Sequence, residues 1–193
     1  MNAAIGEVVR VADGVSLLER AIGYALGSVH AIEPAELTLP TPCRGWNLRM
    51  LLRHVNESFA ALQEAVDGRV ALSAHRHHDG DDPASDFRVG AVRLLGSWTQ
   101  VSGQDRMILV GGCEVATSAV TAAGALEIAV HGWDIGTARG RDRPIPEPLA
   151  IELLPVSQQL VTNRAGLFDP PVPVDDSVGP STRLLAYLGR RPL

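Results

Sequence analysis

Leu17, Leu18, Ala21, Ile22, Ala25, Leu26 and Val29 recur at three- and four-residue intervals. That spacing lines one face of a helix. Ser16 with Glu19 reads as a capping box, so the pattern predicts a first helix from about Leu17 to about His30. His30 falls in the last turn, where a cation suits the helix dipole. The run Leu39-Pro40-Thr41-Pro42-Cys43-Arg44-Gly45-Trp46-Asn47 is too rich in proline and glycine for regular structure and predicts a fixed turn. Asn47 suits an N-cap, with Trp46 placed to staple onto Leu51. A second helix then runs to about Val66, with Leu48, Leu51, Leu52, Val55, Phe59, Leu62 and Val66 as its apolar stripe.

Residues 67–82 form a polar loop carrying His75, His77 and His78. They read as a solvated acidic loop, because holding a metal there would cost ordering entropy. Asp82 and Pro83 open a third helix, whose inner face is Phe87, Ala91, Leu94, Leu95, Trp98 and Val101. Met107 to Val110 and Cys113 to Ala116, joined by Gly111-Gly112, predict a short hairpin. A fourth helix starts near Ser118 or Thr121 and runs to about Ala138. Arg139 supplies a basic last turn and Gly140 a left-handed cap. After Pro144-Ile145-Pro146 a fifth helix covers about Glu147 to Thr162, bent at Pro155. Phe168 to Asp176 is extended, and a closing helix runs from Ser181 to Leu188. No internal repeat or long linker interrupts the pattern. The expected fold is mainly all-α: a four-helix bundle over about 15–140, then the fifth helix and a C-terminal extension over about 144–193, in one domain.

Composition narrows the function classes. The 193 residues are 46% hydrophobic and 20% charged, as in an ordinary globular domain. A net charge of −5 argues against a nucleic-acid partner. No apolar run reaches membrane-spanning length, and the first residues lack the pattern of a signal peptide. Two cysteines, Cys43 and Cys113, make no disulfide framework, so a reducing, cytoplasmic setting is expected. All 17 basic residues are arginine, a usage that suggests a GC-rich genome.

The chemistry concentrates in Glu127-Ile128-Ala129-Val130-His131-Gly132-Trp133-Asp134. Glu127 and His131, four apart on a helix, stack on one face and can close on one divalent cation, although the same spacing is common on solvated faces. His54 lies about 120° from the centre of the second helix's stripe. It shares that flank with Asn47, Ser58, Ala61 and Ala65, small residues that could border a cleft, although a lone histidine there reads first as a partly exposed surface residue. Facing helices of a bundle can bring inward side chains to one metal. His54, Glu127 and His131 would then offer two nitrogens and one oxygen, the donor set of open zinc sites and of non-haem iron sites alike. Asp134, one turn beyond His131, is placed to orient His131 or a bound thiol, or to pair on the surface with Arg139 or Arg141. Cys43, in its Pro/Gly turn, reads as a structural apolar side chain. There is no His-Glu-x-x-His, nucleophile elbow, phosphate loop or Cys-x-x-Cys.

Pro40 to Asn47, with His54 seven residues on, resembles the opening motif of the mycothiol-dependent maleylpyruvate isomerase-like proteins of the DinB/YfiT-like superfamily. Glu127 to Asp134 resembles their second motif. The tail stretches Phe168-Asp169-Pro170-Pro171-Val172 and Arg183 to Arg190 are similar as well. The resemblance implies a DinB-type four-helix bundle with a divalent metal, zinc or nickel, on His54, Glu127 and His131. It also implies mycothiol, or another low-molecular-weight thiol, as co-substrate, with Asp134 beside the metal as a thiol-contacting or catalytic candidate. That family's isomerase carries a further C-terminal domain, for which this chain is expected to have no room. The leading expectation is therefore a thiol-dependent transferase or isomerase acting on electrophilic small molecules in an actinobacterial cytoplasm, with a homodimer as the candidate assembly. The alternatives are a non-catalytic metal or small-ligand sensor, and a scaffold whose triad is hydrogen-bonded without metal.

Overall fold

The computed structural model describes residues 14–71, 82–100, 106–164, 168–175 and 177–192. Four helices form the bundle: α1 (Gly14–Val29), α2 (Leu48–Val66), α3 (Pro83–Gln100) and α4 (Thr117–Ala138). α1 packs on α4 and α3, and α2 packs on the same two, so the four close a ring around one core. Leu17, Ile22, Leu51, Leu52, Phe87, Leu94 and Ile128 are among its fully buried side chains. Each contributes about 1.5–3 kcal/mol through the apolar surface it removes from water.

The helix boundaries follow from local chemistry. Asn47 caps α2 by accepting from the Met50 backbone N–H at 3.0 Å. Asp82 caps α3 by accepting from the N–H groups of Ala84 and Ser85. The capping box expected at the start of α1 is absent, because the helix already includes Gly14 and Ser16 stands inside it. The Ser16 carbonyl instead accepts from Arg20 Nε. Apolar spacing marks the buried face of a helix better than its first turn, and here the turn before Leu17 is helical too.

α4 is the central element. Fifteen of its 22 residues are buried, which is why its sequence shows apolar residues on more than one face. α1 can approach it closely because Gly132 has no side chain; a Cβ there would stand 3.0 Å from Ala25 Cα. Arg139 ends α4 at its C-cap, and its side chain does not neutralise that helix's own terminus. Its guanidinium donates to the carbonyls of Ser28, His30 and Ala31 at the end of α1 and pairs with Glu36 at 2.8 Å.

The expected hairpin is present as β2 (Met107–Val110) and β3 (Cys113–Ala116), paired antiparallel with Val110 opposite Cys113. A two-residue strand within the stretch expected to be loop, β1 (Arg69–Val70), adds parallel to β2. Val101 and the histidines 75, 77 and 78 lie outside the described residues. Beyond the bundle, α5 (Glu147–Leu160) runs through Pro155 and packs on α4. The Arg20 guanidinium grips the Glu152 carboxylate with contacts of 2.9 and 2.8 Å, tying α1 to α5. An irregular stretch containing Phe168 to Asp175 leads to α6 (Pro180–Tyr187), which packs on α5. Among the described residues no helix is long and apolar enough to cross a membrane.

Candidate metal centre

Two distant stretches of sequence meet in a cavity of about 860 Å³ between the bundle and the C-terminal segment. The turn before α2 supplies its first wall. Thr41 N–H donates to the Trp46 carbonyl at 3.1 Å, and Trp46 N–H donates to the Cys43 carbonyl at 3.0 Å. These bonds fold residues 41–46 back on themselves and place Cys43 and Trp46 on the cavity. The indole of Trp46 meets His54 edge to face, with ring centroids 4.9 Å apart. α4 supplies Glu127 and His131 on the facing wall, with Leu126 and Val130 beside them.

His54 Nε2 lies 2.6 Å from Glu127 Oε1, and His131 Nε2 lies 3.2 Å from the same oxygen. The two imidazoles stand nearly perpendicular at 88°, with centroids 5.1 Å apart. One donor atom each from His54, Glu127 and His131 falls within 4.8 Å of the others. The Ser58 hydroxyl, one turn beyond His54, lies 3.3 Å from both Glu127 Oε1 and the His54 carbonyl and shares its proton between them. The flank of α2 that carries His54 thus borders a cleft.

Asp134 is fully buried and accepts at Oδ2 from His131 Nδ1, 2.9 Å away. Its surface pairing with Arg139 or Arg141, the alternative allowed by sequence, does not occur. Asp134 pairs with Arg190, whose terminal nitrogen is 2.9 Å from Oδ2 and whose Nε is 3.4 Å from Oδ1. Cys43 also departs from its purely structural reading. Although it packs partly on the core, its thiol donates to Asp134 Oδ2 at 3.4 Å and lies 3.9 Å from His131 Nδ1.

The electrostatics are those of a coupled set. Burial opposes charge on Glu127, but the charges and hydrogen bonds of His131 and His54 outweigh it and hold the carboxyl well below its ordinary value. Burial likewise opposes charge on His131, yet the Glu127 charge and the hydrogen bonds of Asp134, Cys43 and Glu127 raise its pKa well above the usual value. Asp134 is lowered by His131 and Arg190 against the same burial cost. A protonated His131 thus stands between two carboxylates, with Nε2 toward Glu127 and Nδ1 toward Asp134.

The donor chemistry fits a divalent ion on His54, Glu127 and His131. With Nδ1–H committed to Asp134, His131 turns Nε2 to the other two donors, the arrangement that fixes the tautomer of a ligating histidine. A second group, Cys43, His131 and Asp134, also converges within 4.8 Å. There the Arg190 guanidinium already brings a positive charge, 2.9 Å from Asp134 and 3.9 Å from Cys43 Sγ. The first group is therefore the better cation site.

Arg190 and Ser58 were not picked out as site residues by their sequence context. Ser58 shows only as a small residue on the flank of His54. Arg190 follows the end of a helix, where periodicity carries no information.

The sequence model of the mycothiol maleylpyruvate isomerase N-terminal domain matches residues 18–136. No curated protein and no solved structure matches the chain.

Proposed function

The chain belongs to the mycothiol maleylpyruvate isomerase N-terminal domain family, and from that premise we propose that it is a metal-dependent enzyme that joins a low-molecular-weight thiol to a small electrophile, as a transferase or an isomerase. The observation that carries this reading is the convergence of His54, Glu127 and His131 in the lining of an open cavity. A divalent cation, zinc before nickel, bound there would supply the positive charge that keeps a thiol ionised at neutral pH.

The protein's own groups fit that task. Three protein donors leave room for an outside group. Glu127 and Asp134 bring two negative charges and Arg190 one positive, so a site holding a divalent ion and neutral histidines keeps one positive charge in excess. That excess matches a single thiolate. Asp134 holds His131 in orientation, and Ser58 restrains the Glu127 carboxylate. The rest of the lining includes Leu126 and Val130 beside the ligands and Leu160, Val161 and Phe168 from the C-terminal part of the chain, an apolar set that suits the body of a small organic electrophile. Mycothiol is the thiol the family's description points to.

The test is elemental analysis of untagged protein, followed by an assay of mycothiol consumption with maleylpyruvate and with an activated aryl chloride. Turnover that needs both metal and thiol, and that disappears in His54→Ala, supports the enzyme. A metal-loaded protein that binds thiol without turnover would make it a binding protein instead.

A further inference from the structure

Arg190 reaches the centre from outside the family-matched region, which stops at residue 136. Its side chain is 12% exposed and that of Asp134 is 0% exposed. A buried carboxylate needs a paired positive charge. Asp134 receives it as a two-point contact, which fixes the plane of the carboxylate as well as its charge. The same Oδ2 that takes Arg190 also faces His131 Nδ1.

The position of Arg190 is itself fixed by the C-terminal segment. Its backbone N–H donates to the Leu185 carbonyl at 2.9 Å, and its Nη1 donates to the Leu188 carbonyl at 3.1 Å. Gly189 makes the approach possible. It has φ +81°, and a Cβ there would stand 2.7 Å from the Asp169 carbonyl oxygen. Farther back, Val172 N–H donates to the Ala186 carbonyl at 2.9 Å.

We infer that Arg190 is a positioning residue of the metal centre: it fixes the Asp134 carboxylate, Asp134 fixes His131 Nδ1–H, and His131 then presents Nε2 to the ion. The C-terminal segment is on this account a working part of the site. The inference rests on the metal reading above and adds to it a residue that the family match does not contain.

The test is zinc affinity, measured by competition with a chromophoric chelator, with folding checked by circular dichroism. Arg190→Gln and Asp134→Asn are each expected to weaken zinc binding about ten- to a hundredfold. The double variant is expected to be no weaker than Asp134→Asn alone, because both changes remove one relay. Arg190→Lys, which keeps the charge and loses the fork, is expected to fall in between. Wild-type affinity in Arg190→Gln, or a double variant that loses the product of the two single effects, overturns the inference. Should Arg190→Gln not fold, Arg190→Lys decides: a loss of about three- to tenfold supports the fork's role, and no loss overturns it. Should the wild-type chain bind no zinc, the metal reading fails, and the relay is judged in the metal-free protein. There a slowly exchanging His131 Nδ1–H proton signal is expected in wild type and lost in Arg190→Gln. Its persistence in Arg190→Gln overturns the relay.

Discussion

His131 Nε2 faces Glu127 Oε1 at 3.2 Å, one helical turn apart on α4. In the metal-free protein this is an ion pair, because Glu127 is held well below its usual pKa and His131 well above it. A metal must displace the proton on His131. Zinc affinity is therefore expected to fall as pH drops through the raised pKa of His131, with about one proton released per ion. Calorimetry in two buffers of different ionisation enthalpy measures that number, and a value near zero would mean that His131 is neutral before metal arrives.

The same shifts set the stability of the metal-free chain. His131, raised in the folded state, contributes stability that is fully present below its unfolded pKa of about 6.5 and lost as pH rises through the folded value. Glu127 and Asp134, both lowered, contribute stability present above about pH 4 and lost as pH falls through their folded values. Urea midpoints in the presence of chelator are expected to peak between these limits. His131→Gln should remove the alkaline decline.

Metal binding adds a separate term. An ion that binds only the folded chain stabilises it by about 2.7 kcal/mol at a hundredfold excess over its dissociation constant. Chelation is expected to lower the melting temperature of the wild-type protein and to leave that of His131→Ala unchanged. Equal shifts in both would place the ion elsewhere, with the His75, His77 and His78 stretch examined first.

Cys43 reports on the cavity. It lines the wall beside His131, whereas Cys113 is exposed on the hairpin. A thiol bound at about ten times its dissociation constant leaves about a tenth of the sites free, so alkylation of Cys43 should slow about tenfold. The rate at Cys113 should not change. Mass spectrometry of the two peptides gives both rates from one sample, and equal rates at Cys43 with and without the thiol would place the thiol outside this cavity.

Arg139 tests the scaffold apart from the site. Its side chain is 1% exposed and answers three carbonyls at the end of α1 as well as Glu36. Arg139→Ala leaves the part-buried Ser28 carbonyl and Glu36 without their guanidinium, while the exposed His30 and Ala31 carbonyls turn to water, and is expected to cost about 1–3 kcal/mol of stability, read from chemical denaturation. Zinc affinity of the folded variant should stay near wild type, since Arg139 makes none of the contacts around His131.

Local residue chemistry accounts for the helices and the two motifs. Periodic apolar residues placed α1 and α2 because burying one face repays helix formation wherever the partner comes from. Asn47 and Asp82 marked helix starts because a short polar side chain answers local N–H groups. Glu127 and His131 could be paired because four residues on a helix always make one turn. His54 was less legible, since its angle on α2 suited either a cleft or the surface. Packing between elements set the contacts that cross from one to another. It set His54 2.6 Å from Glu127 and turned Cys43 toward Asp134. It paired Asp134 with Arg190, 56 residues away, rather than with Arg139 or Arg141 nearby. It sent Arg139 to another helix. A long arginine reaches whichever acceptors the packing brings near it, and that choice depends on where the chain returns, which periodicity does not encode.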